Sequence, residues 1–297
     1  MGGYSARYHA ASLAAVFLAL AIGILIGVGF GDDVVSGTTE DLEESLKGDV
    51  EEAREEREEL TRDLNREREF SDAVYPALVE GDLRGHRVGL VALGELPEDL
   101  ADDVEAAIVP AGGTLAEVAV VREPPDVGAL AGRLDGTPHE RLRGDPDAMR
   151  NLARAAGRGL VNGGGVIRDV RGQLLSRFSG TGRRVDDVVV VHQSPDDLNG
   201  RDAEMTEVLE DGLLDGIQDA GFPAVAVERL DAEDSSVEMF RSHDISTVDD
   251  IDLVAGRVAM VSVLLGAEGS FGVKETADDL LPDPLPSAAA GRNVGTP

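Results

Sequence analysis

An uninterrupted apolar run from Ala10 to Phe30 is the strongest hydrophobic signal along the chain, and none of its 21 residues is charged. At about 1.5 Å of rise per residue, such a helix spans roughly the hydrocarbon thickness of a bilayer. A cleaved signal peptide has a shorter apolar core, followed by a small-x-small cleavage site. Here Ala19-Leu20-Ala21 lies inside the run, so the pattern favours an uncleaved signal anchor in residues 1–31.

The charges that flank the run predict its orientation. Arg7 precedes it, whereas Asp32 and Asp33 follow it. Because positive flanks stay in the cytoplasm, we predict a single-pass protein of the cell membrane with a cytoplasmic N-terminus. The rest of the chain is then extracytoplasmic.

Small residues recur at every fourth position of the anchor. They are Ala11, Ala15, Ala19, Gly23, Gly27 and Gly31. Small residues at this spacing allow two helix backbones to approach closely in lipid, which predicts a transmembrane packing face. The alternative is that the spacing reflects the abundance of Ala and Gly in this chain.

A charged helical stalk is predicted for residues 32–76. Between Thr38 and Val74 there is no proline and a single glycine, Gly48. Apolar residues form a stripe at helical spacing, here called the stalk stripe: Leu42, Leu46, Val50, Ala53, Leu60 and Leu64. We predict a long coiled-coil-like helix that ends at Pro76, since proline disfavours helix in the residue before it.

The stalk stripe does not identify the surface against which it packs. In the register through Leu46 and Leu60, the intervening seam positions are Asp49, Glu56 and Asp63. These carboxylates would repel one another in a parallel pair of helices. The stalk is therefore either a solvated spacer or the receiver of a helix from another protein. The expected partners are the membrane and a homodimer or hetero-coiled-coil partner of the cell envelope.

Strand-like and helix-like patterns alternate through residues 77–282. Strands are predicted at Arg87–Leu93, Leu115–Val121, Val188–Val191, Ala224–Val227 and Val237–Arg241. Helices are predicted at Pro97–Val109, Asp126–Leu134, Asp147–Leu160, Val166–Phe178, Ala203–Ala220 and Leu253–Leu265. The alternation predicts an α/β fold, with a mainly parallel Rossmann-like sheet covered by helices. Residues 283–297 are predicted to be a disordered tail.

Composition removes several function classes. The chain has 27 basic and 58 acidic residues, a net charge of −31, and no cysteine. A nucleic-acid-binding protein needs a basic surface, so nucleic acid is excluded as a partner. The absence of cysteine excludes disulfides, thiol catalysis and thiolate metal sites.

Candidate chemistry is sparse. His192 and Gln193 directly follow a predicted strand, at the sheet edge where parallel sheets bind ligands; the alternative is that His192 caps the next loop. We find no nucleotide-binding loop and no catalytic set, so the protein is expected not to be an enzyme. Met239 and His243 are the close Met/His pair, and His192 is the third candidate metal ligand.

Two segments carry a family resemblance. YHAASLAAVFLALAIG, from Tyr8 to Gly23, and ISTVDDIDLVAGRVAMV, from Ile245 to Val261, resemble the mycobacterial copper transport protein family, MctB. The resemblance implies an actinobacterial cell-envelope protein for copper transport or metal homeostasis. Copper is implied by the resemblance alone. The outer-membrane location attached to this family is not indicated by the sequence, because one spanning helix cannot enclose a pore by itself.

The second of these segments contains a group of polar residues with two interpretations. The residues are Thr247, Asp249, Asp250, Asp252 and Arg257. Ser246-Thr247 resembles a helix-entry signal, so the group would cap and pack the last helix. The functional alternative is a pocket or partner surface for a cation or a basic patch.

The sequence therefore predicts a non-enzymatic, membrane-anchored extracytoplasmic protein of the MctB family with a role in copper transport. The alternative is a coiled-coil adaptor in cell separation that regulates peptidoglycan hydrolases, as the resemblance implies for related proteins of similar layout.

Overall fold

A computed structural model describes residues 6–134, 142, 145–195, 198, 200–232 and 234–285. The side chains of residues 6–8 and 28–44 lie outside the description. This range includes position Gly31 of the predicted packing face and Leu42 of the stalk stripe. The predicted tail lies outside it from residue 286 onward. The chain divides into two compact units, Met1–Glu69 and Phe70–Pro297.

The described part of the chain contains helices and strands in alternation. The helices are α1 Ala6–Val79, α2 Glu98–Ile108, α3 Val127–Arg133, α4 Pro146–Asn162, α5 Val166–Leu174, α6 Gly200–Asp219, α7 Val237–Ser242 and α8 Val254–Leu264. The strands are β1 Arg87–Gly94, β2 Thr114–Val121, β3 Leu175–Gly180, β4 Asp187–Gln193, β5 Ala224–Val227, β6 Ser246–Val248 and β7 Ser270–Phe271.

The described part of the first unit, residues 6–69, is helical and contains one segment that is long and apolar enough to cross a membrane. This segment, His9–Gly27, has 19 residues, a mean hydropathy of 2.5 and no burial within the chain. Gly23 and Gly27 have no other atom within 4 Å of their open sides, so these two positions of the predicted packing face are uncovered by the described residues. The coiled-coil pairing of the stalk stays a prediction.

The second unit is built on a seven-stranded sheet in the order β3-β2-β1-β4-β5-β6-β7. Neighbouring strands are parallel except β2 and β3, which are antiparallel. The predicted mixed α/β fold with a mostly parallel sheet is therefore confirmed. Val188 to Val191 are all buried, as expected for a strand that is covered on both faces.

Two apolar cores cover the two faces of the sheet. One packs α3, α4, α5, α6 and α7 against residues such as Val91 and Val190. The other packs α2, α8 and the end of α1 against residues such as Leu90 and Val189. Alternate residues of one strand thus serve opposite cores, which is the period-2 geometry of a strand.

One predicted helix is correct only in its first part, and one predicted strand is wrong in type. The helix predicted over Val166–Phe178 stops at Leu174, and the chain continues as β3, which pairs with the free edge of β2. The strand predicted over Val237–Arg241 is the short helix α7. In α7, Val237 and Phe240 are the buried residues, and their spacing of three is helical rather than strand-like.

Two boundary predictions also need correction. α1 continues through Pro76 to Val79, because Tyr75 and Val79 are buried against the second core and hold the last turn in place. Ser246-Thr247 begins no helix: it lies in β6, and the closing helix starts at Val254. Tertiary packing outweighs the local proline and capping signals at both places.

Candidate functional site

The strand order reverses direction between β1 and β4, since β1 leads to β2 on one side and the later strands follow β4 on the other. Open α/β sheets bind ligands beside such a point, outside the carboxyl ends of the strands. A cavity of about 650 Å³ lies there, and we call it the switch-point crevice. Its lining comes from the start of α2, the ends of β4 and β5, and the β5–α7 connection.

His192, predicted to lie at the best pocket position, lines the switch-point crevice together with Gln193. Its Nδ1 is 2.6 Å from Ser236 Oγ, and its Nε2 is 3.0 Å from Glu210 Oε1 and 2.9 Å from Ser194 Oγ. In a serine relay, the serine and the acid bond to different nitrogens of the histidine. Here Ser194 and Glu210 share Nε2, and Nδ1 faces Ser236. Ser236 and Glu210 therefore lie on different nitrogens, but in the reverse of the usual relay, which has the serine at Nε2 and the acid at Nδ1.

A buried carboxyl pair lies behind His192. Both carboxyl oxygens of Glu123 are buried, and as a carboxylate the side chain has no hydrogen-bond partner among the described residues. Burial, reinforced by the neighbouring Glu210 carboxylate, raises the pKa of Glu123 to about 9. Protonated Glu123 can donate to Glu210, which resolves the apparent lack of a partner. The sequence reasoning missed Glu123, although its position just after β2 places it at the ligand-binding edge.

Glu228 and Lys274 connect the wall of the crevice to the rest of the domain. Lys274 Nζ lies 2.8 Å from Glu228 Oε1 and donates to the carbonyl oxygen of Arg229 at 2.8 Å. The carboxylate of Glu228 also accepts hydrogen bonds from Ser235 Oγ and from the Ser236 amide, each at 2.9 Å. This wall is therefore held by charge-assisted hydrogen bonds. Sequence reasoning missed it because its members are 46 residues apart.

Asp249 holds the turn that follows β7. Its Oδ1 accepts hydrogen bonds from the amides of Val273 and Lys274, at 2.9 Å and 3.3 Å. Thr247, also predicted as a site residue, is buried and shares a hydrogen bond with Ser270. Both side chains are used inside the domain, at β7 and the turn after it rather than at the start of the last helix.

Asp250 is the most isolated polar side chain of the segment. It is 0% exposed, and both of its carboxyl oxygens lack a hydrogen-bond partner among the described residues. Burial, followed by the nearby Asp249 and Asp252 carboxylates, raises the pKa of Asp250 to about 7. A Cβ at Gly256 would overlap the carbonyl oxygen of Asp250. The glycine therefore gives the Asp250 backbone the room to lie against the first turn of α8.

Arg257 and Asp252 lie in an ionic cluster on the α8 side of the sheet. Arg257 pairs with Asp72 near the end of α1 at 3.2 Å and with Asp103 of α2 at 3.4 Å. Asp252 Oδ1 accepts a hydrogen bond from the amide of Leu230 at 2.8 Å. Burial raises the pKa of Asp103 even though two guanidinium groups act against the shift. These contacts join α1, α2 and α8.

The three candidate metal ligands are not brought together as one site. His192 and Met239 both line the switch-point crevice. His243 instead faces Asp215 at 3.0 Å and Asp211 at 3.2 Å, both on α6. Within the described residues, no group of three or more His, Asp and Glu side chains is arranged to hold a metal ion. Met149, Met205 and Met260 are buried, as expected for core residues.

Comparison with known proteins identifies a family. No curated protein matches the chain. The sequence profile of MctB, described as a copper transport outer membrane protein, matches residues 4–282, which is nearly the whole chain. Both segments that carry the resemblance lie inside this match. The chain therefore belongs to the MctB family, whose name implies a role in copper transport or homeostasis.

Proposed function

We propose that the protein is a non-enzymatic, membrane-anchored component of copper transport that displays its α/β domain outside the cytoplasmic membrane. The observation that carries this proposal is the apolar segment His9–Gly27, which precedes a charged helix and an α/β domain in a chain of the MctB family. A single helix of this kind anchors a domain but encloses no pore. In this proposal the copper path is therefore formed by an assembly in which this chain is one part.

The side chains support weak copper contact rather than a tight resident site. Copper(I) prefers thiolate, thioether and imidazole ligands. His192 and Met239 are the imidazole and the thioether among the crevice-lining residues, and both His192 nitrogens already have partners. Copper would thus be a transient cargo of the domain.

Copper tolerance in cells tests the proposal. A strain lacking this protein should become copper-sensitive, and the full chain should restore tolerance. A chain without residues 1–31, exported by a cleavable signal, should fail, because the anchor is part of the function. Equal copper sensitivity with and without the protein would contradict the copper role.

Direct copper binding and topology need separate measurements. Titration of the purified full chain with copper(I) against a competing chelator should show no tight stoichiometric site. A site that is lost in Met239→Ala or His243→Ala would contradict that expectation. Protease added to intact spheroplasts should digest the α/β domain; digestion only after lysis would reverse the orientation.

A second candidate function is an adaptor in cell separation that acts through the stalk stripe. The observation in its favour is that Leu46, Leu60 and Leu64 are 57%, 62% and 51% exposed within the chain. Replacing the three leucines by serine should abolish capture of a helical partner and leave the α/β domain folded. Chained, unseparated cells with normal copper tolerance would favour this candidate over copper transport.

A further inference from the structure

We propose that the switch-point crevice binds a small organic cation, an ammonium or guanidinium group carried on a short aliphatic chain. The crevice has a volume of about 650 Å³, which suits a small-molecule ligand. The proposal goes beyond the copper role and does not depend on it, so each can fail without the other.

The phosphate position usual for this strand order is unsuited to an anion. In dinucleotide-binding folds, the phosphates rest on the N-terminus of the helix after the first strand. Here that helix is α2, which follows Pro97, a residue without an amide hydrogen, and carries Glu98 and Asp99 in its first turn. Two carboxylates at the positive end of the helix oppose a phosphate and favour a cation.

The backbone amide at the switch point is also already used in a hydrogen bond within the chain. The amide of Glu95 donates to the carbonyl oxygen of Gln193 at 2.9 Å. A Cβ at Gly94 would overlap that same oxygen. The two strand ends thus bond to each other where a dinucleotide fold would present a free amide to the pyrophosphate. A ligand must bind further out, in the switch-point crevice.

The crevice already holds one guanidinium group, that of Arg229. Its partners are Asp103, Asp99 at 3.5 Å and Asp231 at 3.2 Å. The charged side chains that line the crevice are those of Asp99, Glu228, Arg229, Asp231 and Asp234. Lys274 also pairs with Glu228 from behind the wall. Among the described residues, four lining carboxylates therefore face two positive groups, and the field favours a further cation.

The remaining lining distinguishes an organic cation from a sugar or a metal ion. Ser194, Ser235 and Ser236 line the crevice together with the aliphatic side chains of Leu100 and Val227. Among the described residues, no Phe, Tyr or Trp lines the crevice, so a sugar ring finds none of the large aromatic surfaces on which sugars stack. The described residues contain no group of metal-holding carboxylates and imidazoles. An ammonium group on a methylene chain matches both the polar and the apolar parts of the lining.

Calorimetric titration of the full chain in lipid nanodiscs with putrescine, L-lysine and L-arginine tests the proposal. At least one of these probes should bind saturably. The double variant Asp99→Asn/Asp231→Asn should weaken binding at least tenfold, because it removes two carboxylates and frees Arg229. The matched control Asp102→Asn, an exposed residue of the same helix outside the lining, should stay within twofold of the wild type.

A charge reversal at an exposed position tests the proposal with a variant that should still fold. Asp234→Lys lies on the exposed part of the lining and should weaken binding severalfold, whereas Asp102→Lys should not. Inorganic phosphate and NAD⁺ should not bind. The proposal is overturned if none of the three cations binds at millimolar concentration, if phosphate or NAD⁺ binds instead, or if the Asp102 controls weaken binding equally.

Discussion

The two units of the chain treat apolar side chains in opposite ways. In the N-terminal unit, Leu25 is 75% exposed and Leu60 is 62% exposed. In the α/β unit, residues such as Leu90 and Leu209 are almost completely buried between helices and the sheet. The apolar surface of the first unit therefore needs lipid or another protein, whereas that of the second is satisfied within the chain.

The two units also differ in how they hold carboxylates. Asp63 of the stalk pairs with Arg66 on an open helix surface, where such a pair contributes about 0–1 kcal/mol. Asp250 and Glu123 of the α/β unit are held away from water, and burial raises the pKa of both. Acidic residues thus keep the stalk in contact with water. In the domain, by contrast, burial of Asp250 and Glu123 favours the protonated form of both side chains.

The largest expected effect breaks the close packing of the α/β unit. Gly256→Ala places a methyl group against the carbonyl oxygen of Asp250, and overpacking against a fixed backbone should cost about 3 kcal/mol. Gly172→Ala is the matched control, because the open side of this helical glycine meets no atom within 4 Å. It should gain about 0.5–1 kcal/mol. Urea unfolding measures both, and equal effects would contradict the packing argument.

The next prediction converts the solvated stalk into a self-pairing helix. Replacing Asp49, Glu56 and Asp63 together by Leu completes the seam and removes the repelling charges. The dimer of the anchor-free chain should tighten by roughly a hundredfold, about 2.7 kcal/mol. In sedimentation, the unchanged chain should dimerise better at high salt, because salt screens like charges. A wild-type dimer that is equally tight at both salt concentrations would show that the helices pair in another register.

Local sequence patterns predicted the elements whose own residues decide their structure. The apolar run and the four consecutive valines at Val188–Val191 needed no distant partner to be recognised. The strand β3 depends on the free edge of β2, and β6 and β7 have only 3 and 2 residues. Such short strands form because the neighbouring strand supplies the hydrogen bonds. The residues of the short strand alone do not indicate that a neighbour is present.

Only the part of the candidate site at the carboxyl end of β4 could be predicted from the sequence. His192 and Gln193 followed from the rule that ligands lie beyond the carboxyl ends of parallel strands. Glu123 and Lys274 come from chain positions far from His192, and their roles depend on the fold bringing them to one place. The metal set failed to assemble for the same reason, since spacing along α7 put His243 beside α6 rather than in the crevice.

A smaller effect, dependent on pH, sharpens the contrast between buried and solvated carboxylates. The pKa of Asp250 is raised to about 7 in the folded chain, against about 3.9 in an unfolded one. Between these values the folded state binds more protons, so this group lowers the free energy of unfolding as pH rises from 4 to 7. Asp250→Asn should remove that loss, so the free energy of unfolding of the variant relative to wild type should rise by at least about 1 kcal/mol from pH 4.5 to pH 8. Thermal unfolding at both pH values measures the gain, and parallel pH profiles would contradict it.

The smallest expected effect lies at the last turns of α1, within the α/β unit. Arg257 pairs with Asp72, whose side chain is 59% exposed, and with Asp103, whose side chain is 15% exposed. Because water screens the outer pair, Asp72→Asn should cost less than about 0.5 kcal/mol. Asp103→Asn should cost about 1 kcal/mol, since Arg257 and Arg229 both lose a mostly buried partner, while the burial that raises the pKa of Asp103 offsets part of that pairing. Chemical unfolding of the two variants under the same conditions gives the ranking. If Asp72→Asn were the more damaging change, the end of α1 would be held to the domain by charge rather than by the buried side chains of Tyr75 and Val79.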